Sequence, residues 1–357
     1  MIVAGVAGAA RLRLLRACAI IRSIGMSRSI RRRRIREGRD MPQTGIPSEQ
    51  EVLGWFDSLS NWGRWGDDDE LGTPNLITPE KTKAALATVQ EGHCVSLSRE
   101  LTWDPSVDVP APPVHYMIES GEGWASGDKV SNRASAVAMD YIGMIFHGVT
   151  VTHVDSLAHF FWDGKTYNGK PAHMVSTSLG ATVCSVEQAH KGFITRGVLV
   201  DVPYVRGIDW VERGEGVMPE DILAAEERCG FRIESGDVLL VRTGQLRRRN
   251  VEGPVPREAG STACQAACLP LFKERDIAVL GSDTGNDVSP PQYPGQLTNP
   301  VHQVSIVAMG LWILDNANLE DVAEACLERN RWTFMVSINP LRMQNTTGSP
   351  VNPVAVF

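Results

Sequence analysis

Thr152 to Gly164 reads THVDSLAHFFWDG and places His153, Asp155 and His159 within seven residues. Imidazole and carboxylate both ligate divalent metal ions. In an extended strand, residues two apart point to the same side, so His153 and Asp155 project together. His159 lies past Ser-Leu-Ala, where a turn would swing it back beside the pair. A bound ion lowers the pKa of water toward neutrality, and a nearby imidazole can take the proton. That set suits hydrolysis. The competing reading of the bare pattern is a polar strand end whose His and Asp hydrogen-bond each other.

Other residues could join this chemistry. Phe160, Phe161, Trp162 and Tyr167 follow directly. An aromatic wall beside a metal suits a planar cyclic or aryl substrate, with Phe161 and Trp162 the candidate lining residues. Trp65, near Trp62 in NWGRWGDDDELG, is a further candidate for substrate contact or for structural anchoring. The segment SDTGND offers Asp283 and Asp287. At the C-terminal end of a strand, Asp283 could orient a ligand histidine or cap a loop. His93, His173 and His190 stand alone and read as surface or satisfied core residues. There is no GxSxG elbow, P-loop or strand-linked GxGxxG, so neither a serine hydrolase nor a nucleotide cofactor is indicated.

The elements that would position these groups alternate. ITPEKTKAALATVQEG reads as a helix with Thr78 as N-cap, Pro79 in its first turn and Gly92 near its end. MPEDILAAEERCG, TACQAACLPLFKERD (disturbed at Pro270) and NLEDVAEACLERN read as three more. Between them lie the β-type runs 196–202, 236–244, 277–283 and 305–315. Their apolar residues are nearly continuous, which suggests strands covered on both faces. The expected class is α/β, in one domain over 45–357. The Pro- and Gly-rich stretches VEGPVPREAG and TGNDVSPPQYPGQLTNP read as long loops of the kind that carry function.

Charge divides the chain. The whole has 35 Lys+Arg and 42 Asp+Glu. Residues 1–40 hold 11 of the basic residues, all Arg, and two acids, Glu37 and Asp40. The remainder keeps 24 basic and 40 acidic residues, a net of −16, and is a poor nucleic-acid binder. The Arg-rich head lacks the order of a secretory signal. It reads as mis-started or untranslated sequence with a start at Met26 or Met41, the alternative being a transit peptide or basic arm. No apolar stretch is long enough for a membrane span. The seven cysteines are scattered without CxxC, which fits a reducing cytoplasm. Cys264 and Cys268, four apart, read as buried small side chains.

THVDSLAHF resembles the core of HxGTHxDxPxHF, the motif of the metal-dependent cyclase/hydrolase family that includes bacterial kynurenine formamidase and isatin hydrolase. The segments NWGRWGDDDELGTPNLITPEKTKAAL, GDVLLVRTG, VLGSDTGNDVSP and NPVHQVSIVAMGLWILDNANLEDVA resemble further family signatures, in matching order over about 50–340. The resemblance implies a mixed β-sheet core of swivelling β/β/α type with flanking helices, and a homodimer or homotetramer. It implies Zn²⁺ or Mn²⁺ held by His153, Asp155 and His302, with Asp315 in place of the family's glutamate and His159 as general acid/base. The first histidine of the motif falls at Val149. His147, six residues before His153, completes the metal site, binds substrate or is structural. The implied activity is hydrolysis of a C–N amide bond in a small cyclic or aromatic molecule. The alternatives are a lactone hydrolase or ring-forming cyclase using the same site, and a non-catalytic binding protein that lost its metal ligands.

Overall fold

The computed structural model describes residues 45–122 and 137–357; the expectations about the Arg-rich head lie outside them. Nine strands form the main sheet: β1 Cys94–Ser96, β2 His153–Asp155, β3 Phe193–Asp201, β4 Val238–Arg242, β5 Val279–Ser282, β6 Trp312–Asp315, β7 Thr333–Ile338, β8 Gly348–Pro350 and β9 Val354–Val356. Their order across the sheet is β1-β9-β7-β3-β4-β5-β6-β2-β8. The central four, β3 to β6, run parallel, and every other neighbouring pair is antiparallel. The class is α/β with a mixed sheet, as expected.

The parallel centre follows from composition. β4 and β5 are buried along their whole length. Residues of β3, β4 and β5 alternate between two cores, with Leu199, Val238, Leu240 and Val279 in one and Val198, Val200, Leu239, Val241 and Leu280 in the other. Strands covered on both faces need apolar residues at every position, and each buried leucine contributes about 1.5–3 kcal/mol.

Three helices lie where caps and stops indicate. Pro79–Leu86 opens with the Thr78 hydroxyl accepting from the Lys81 amide at 3.2 Å, but it ends at Leu86, short of the stop expected near Gly92. Pro219–Cys229 ends at Gly230, whose φ of 70° is the left-handed conformation glycine adopts freely. Glu320–Arg329 ends likewise at Asn330.

Two segments differ from expectation. Thr262–Asp276 is not one helix: Ala263–Cys264 pairs as a strand with Gly216–Val217, and the helix spans Leu269–Arg275. Pro270 sits in its first turn, where a missing N–H costs nothing, so it starts the helix rather than disturbing one. Cys264 and Cys268 are both buried. The run 305–315 is also split. Gln303–Met309 is a π-helix, and only Trp312–Asp315 is strand. Gly310, at φ 62°, ends the helix, and a Cβ there would overlap the Tyr167 ring. Periodicity alone does not separate a short buried helix from a buried strand. Among the described residues, no helix is long and apolar enough to cross a membrane.

Candidate metal centre

Strand β2 carries the centre. It lies between β6 and β8, with His153 opposite Asp315 and Pro350, and Asp155 opposite Ile313 and Gly348. Residues directly opposite on antiparallel strands share a face, so the sheet register itself brings Asp315 to His153. After β2 the chain turns, the His159 amide bonding the Ser156 carbonyl at 3.1 Å, and His159 returns to the end of the strand. His302 comes from the short helix Pro300–His302 that leads into the π-helix. His147 arrives from the bend before β2. That bend is held by Asn316, whose amide donates to the carbonyls of Gly148 at 2.7 Å and Val151 at 3.3 Å.

Asp155 is the hub. Its Oδ1 lies 2.9 Å from His147 Nδ1 and 3.4 Å from His153 Nε2. Its Oδ2 lies 3.4 Å from His302 Nε2 and 3.9 Å from His159 Nε2. Asp315 Oδ2 is 3.5 Å from His302 Nε2 and 3.9 Å from His153 Nε2. Two triads of potential ligands result, His147–His153–Asp155 and Asp155–His302–Asp315, with ligand atoms in each within 4.8 Å of one another.

The outward atoms are pinned. His153 Nδ1 bonds the Val151 carbonyl at 2.8 Å, His302 Nδ1 bonds Asp287 at 2.5 Å, and His147 Nε2 bonds the Thr347 hydroxyl at 2.9 Å. Asn286 donates to Asp315 Oδ1 at 2.7 Å, leaving Oδ2 to face the histidines. Such outer bonds fix the tautomer and aim of metal ligands. Both Asp155 oxygens and His147 Nδ1 are buried without a well-aligned hydrogen-bond partner. Unsatisfied buried polar atoms are costly, and a divalent cation would satisfy all three. The residues fit such an ion.

The electrostatics agree. Burial opposes ionisation of Asp155, but the imidazoles of His159, His153, His147 and His302 outweigh it and hold the carboxyl well below the usual range. Burial would also neutralise His302, yet Asp315, Asp155 and Asp287 raise it well above an ordinary histidine. His159 goes the other way: desolvation, only partly offset by Asp155, pushes it down to about 4. His159 also stacks flat on His147, ring centroids 3.9 Å apart.

The sequence candidates are thus brought together in part. His147, His153, Asp155, His159, His302 and Asp315 converge. Asp283 does not join them, which corrects its expected role beside a ligand histidine. Its carboxylate accepts from the amides of Thr243, Gly244 and Gln245 and from the Thr243 hydroxyl, at 2.8–3.1 Å, and so caps the helix Gln245–Glu252. Asp287, four residues on, takes the histidine instead. The aromatic candidates also move. Trp162 stacks on Phe56 at 4.4 Å, Trp65 lies under the Arg64 guanidinium, and Phe161 is exposed. Of the run Phe160–Trp162 it is Phe160 that reaches the centre, 4.9 Å from His159 and 5.0 Å from His302, and Phe146 lies there too, 4.5 Å from His147. The period-2 strand pattern ends before this turn, so spacing gave no means of choosing among the three aromatics.

Residues 79–286 match the profile of a family described as putative cyclase, which is more than half of the 357-residue chain. The chain belongs to the cyclase family. A crystal structure described as a novel cyclase is 30% identical, with TM-score 0.77 over 85% of this chain and 99% of that one. Isatin hydrolase A from Labrenzia aggregata, bound to benzyl benzoate, is 24% identical, with TM-score 0.54 over 74% of this chain and 93% of its own. Isatin hydrolase A from Ralstonia solanacearum is 20% identical, with TM-score 0.52 over 76% and 94%. At those identities the likeness to the hydrolases is one of fold. No curated protein matches the chain. The matched region holds β2 and the turn to His159, while His302 and Asp315 lie beyond it.

Proposed function

We propose that this member of the cyclase family is a metal-dependent hydrolase that cleaves a C–N amide bond of a small cyclic or aryl-linked molecule. The observation that carries the reading is Asp155, buried between two ligand triads with neither oxygen satisfied by a well-aligned donor. His147, His153 and Asp155 would hold one divalent ion, and Asp155, His302 and Asp315 offer the other triad. A zinc or manganese ion there would polarise a substrate carbonyl and make water a stronger acid.

The chain's own residues supply the rest. His159 is neutral at physiological pH because burial disfavours its charged form. Its Nε2 points toward the ligand cluster and can take a proton from water and return it to the leaving nitrogen. Phe160 lies against both His159 and His302 and excludes water from one side. The approach of His147 Nδ1 to within 2.9 Å of Asp155 supports a complete ligand set over a binding protein that has lost its ligands, with His147 serving in place of the motif histidine absent at Val149. The family description as a cyclase favours one second reading, a lactone or ring-closing substrate at the same residues.

The test is metal content by plasma mass spectrometry, with turnover of matched amide and ester analogues. We expect zinc or manganese in stoichiometric amount, lost in Asp155→Asn, and hydrolysis of amides that Asp155→Asn cannot perform. A wild-type protein that takes up no metal on reconstitution would sink the proposal. Faster turnover of esters would favour the lactone reading.

A further inference from the structure

A cavity of about 370 Å³ opens beside the ligand cluster, walled by the two long Pro- and Gly-rich loops. Gly285, Asp287 and Asn316 belong to its wall and also adjoin the centre. Asp287 holds His302, Asn316 follows Asp315, and a Cβ at Gly285 would lie 3.6 Å from Asp315 Oδ2.

Four arginines line this space: Arg99, Arg213, Arg249 and Arg257. Three acids share the wall, and each is already engaged. Asp108 takes Arg249 through two bonds of 2.5 and 3.1 Å. Asp283 caps a helix, and Asp287 accepts from His302 and from two backbone amides. The other three arginines are poorly neutralised. Among the described residues, Arg99 donates to the carbonyls of Val149 and Asp283 alone, and its Nε is buried without a partner. Carbonyl dipoles do not cancel a full charge. Among the described residues, Arg213 makes one ion pair, with Glu252 at 3.7 Å, which Arg248 also holds at 2.7 Å. Arg257 is exposed and makes no ion pair among the described residues. The acidic body of the chain thus encloses a basic cavity next to its metal ligands.

We propose that this cavity binds the carboxylate of an acidic organic substrate, with the half-buried Arg99 and Arg213 and the exposed Arg257 as its cationic partners. Guanidinium and carboxylate match in charge and in planar geometry, and the volume suits a small organic acid. Calling the acid the substrate rests on the hydrolase reading above; the anion site itself does not.

Benzoate, with benzamide as its neutral shape match, is titrated calorimetrically into metal-loaded and chelator-stripped protein. Benzoate is expected to bind at least about tenfold more tightly than benzamide, and to weaken as salt is added. Arg257→Gln and Arg213→Gln should each weaken benzoate by about three- to tenfold, and Arg99→Gln by more. Because Arg99 also holds two backbone carbonyls, the exposed Arg257→Gln provides the test that does not depend on folding. Benzoate binding should survive removal of the metal. Equal binding of benzoate and benzamide, or benzoate binding that vanishes with the metal and ignores Arg257→Gln, overturns the proposal. Turnover is read separately. A higher kcat/KM for carboxylated than for neutral amides, reduced in Arg257→Gln, supports the substrate assignment, and equal values refute it. Protein that binds benzoate as described but hydrolyses no amide or ester keeps the anion site and refutes the hydrolase reading alone.

Discussion

Asp283 and Asp287 stand in one loop, and their partners separate their tasks. Asp287 fixes the His302 ring from behind. Asp287→Asn should therefore lower metal affinity per folded molecule by about 10–100-fold, as read by competition with a chromogenic chelator. Asp283 satisfies four donors at the start of a helix. Asp283→Asn should leave metal affinity nearly unchanged per folded molecule and cost about 3 kcal/mol in urea unfolding. If the two variants exchange phenotypes, this division is wrong. His159 gives a pH signature. Burial holds its pKa at about 4, against 6.5 for a free imidazole, so the unfolded chain binds the extra proton more readily. The stability it contributes is complete above pH 6.5 and falls as the pH drops toward 4. Between pH 7 and pH 4, metal-free wild type should lose about 3 kcal/mol more than metal-free His159→Gln. Parallel pH profiles for the two proteins would refute the buried neutral imidazole.

At the scale of elements, β2 is three residues long and its alternation decides the site. Two side chains project into the centre, while Val154 between them packs in the core. β8 gives His147 its room. A Cβ on Gly348 would come within 3.0 Å of the His147 ring and 2.5 Å of the Val154 carbonyl. Gly348→Ala should therefore displace His147 and cost about 1–3 kcal/mol of stability, with a weaker metal site in the chelator competition. Unchanged affinity would mean that His147 is no ligand. The helices were legible because caps and glycine stops are local: Thr78 and Gly230 act through their own neighbours. The 262–276 and 303–315 segments were not legible in this way. There, Gly310 meeting Tyr167 and Ala263–Cys264 pairing with Gly216–Val217 are contacts from far along the chain.

Across the whole molecule, the two cores on either face of the sheet seal most of the thiols. Cys184, Cys264, Cys268 and Cys326 are buried, whereas Cys94 is exposed. Burial pushes the Cys184 thiol up to about 12, so almost no thiolate forms at neutral pH. Iodoacetamide applied to the native protein at pH 8, followed by peptide mapping, should label Cys94 well before those four. Equal labelling would mean that the cores are open. The same enclosure buries both Asp155 oxygens among imidazoles without a well-aligned donor, which is why they call for a cation.

The chain determines by itself what depends on near neighbours. The apolar runs, the caps, and the two side chains two apart in HVD are of this kind. Its local spacing singled out His153, Asp155 and His159, and the wider resemblance supplied His302 and Asp315 as candidates. What only the tertiary structure decided is which distant groups meet. The strand register sets Asp315 across from His153, a bend tied by Asn316 carries His147 past the gap at Val149, and a loop delivers Asp287 to His302. It also gathers Arg99, Arg213 and Arg257 from separate segments around one cavity. These groups lie tens to hundreds of residues apart, and no local pattern encodes a contact that forms only when two cores close around a shared sheet.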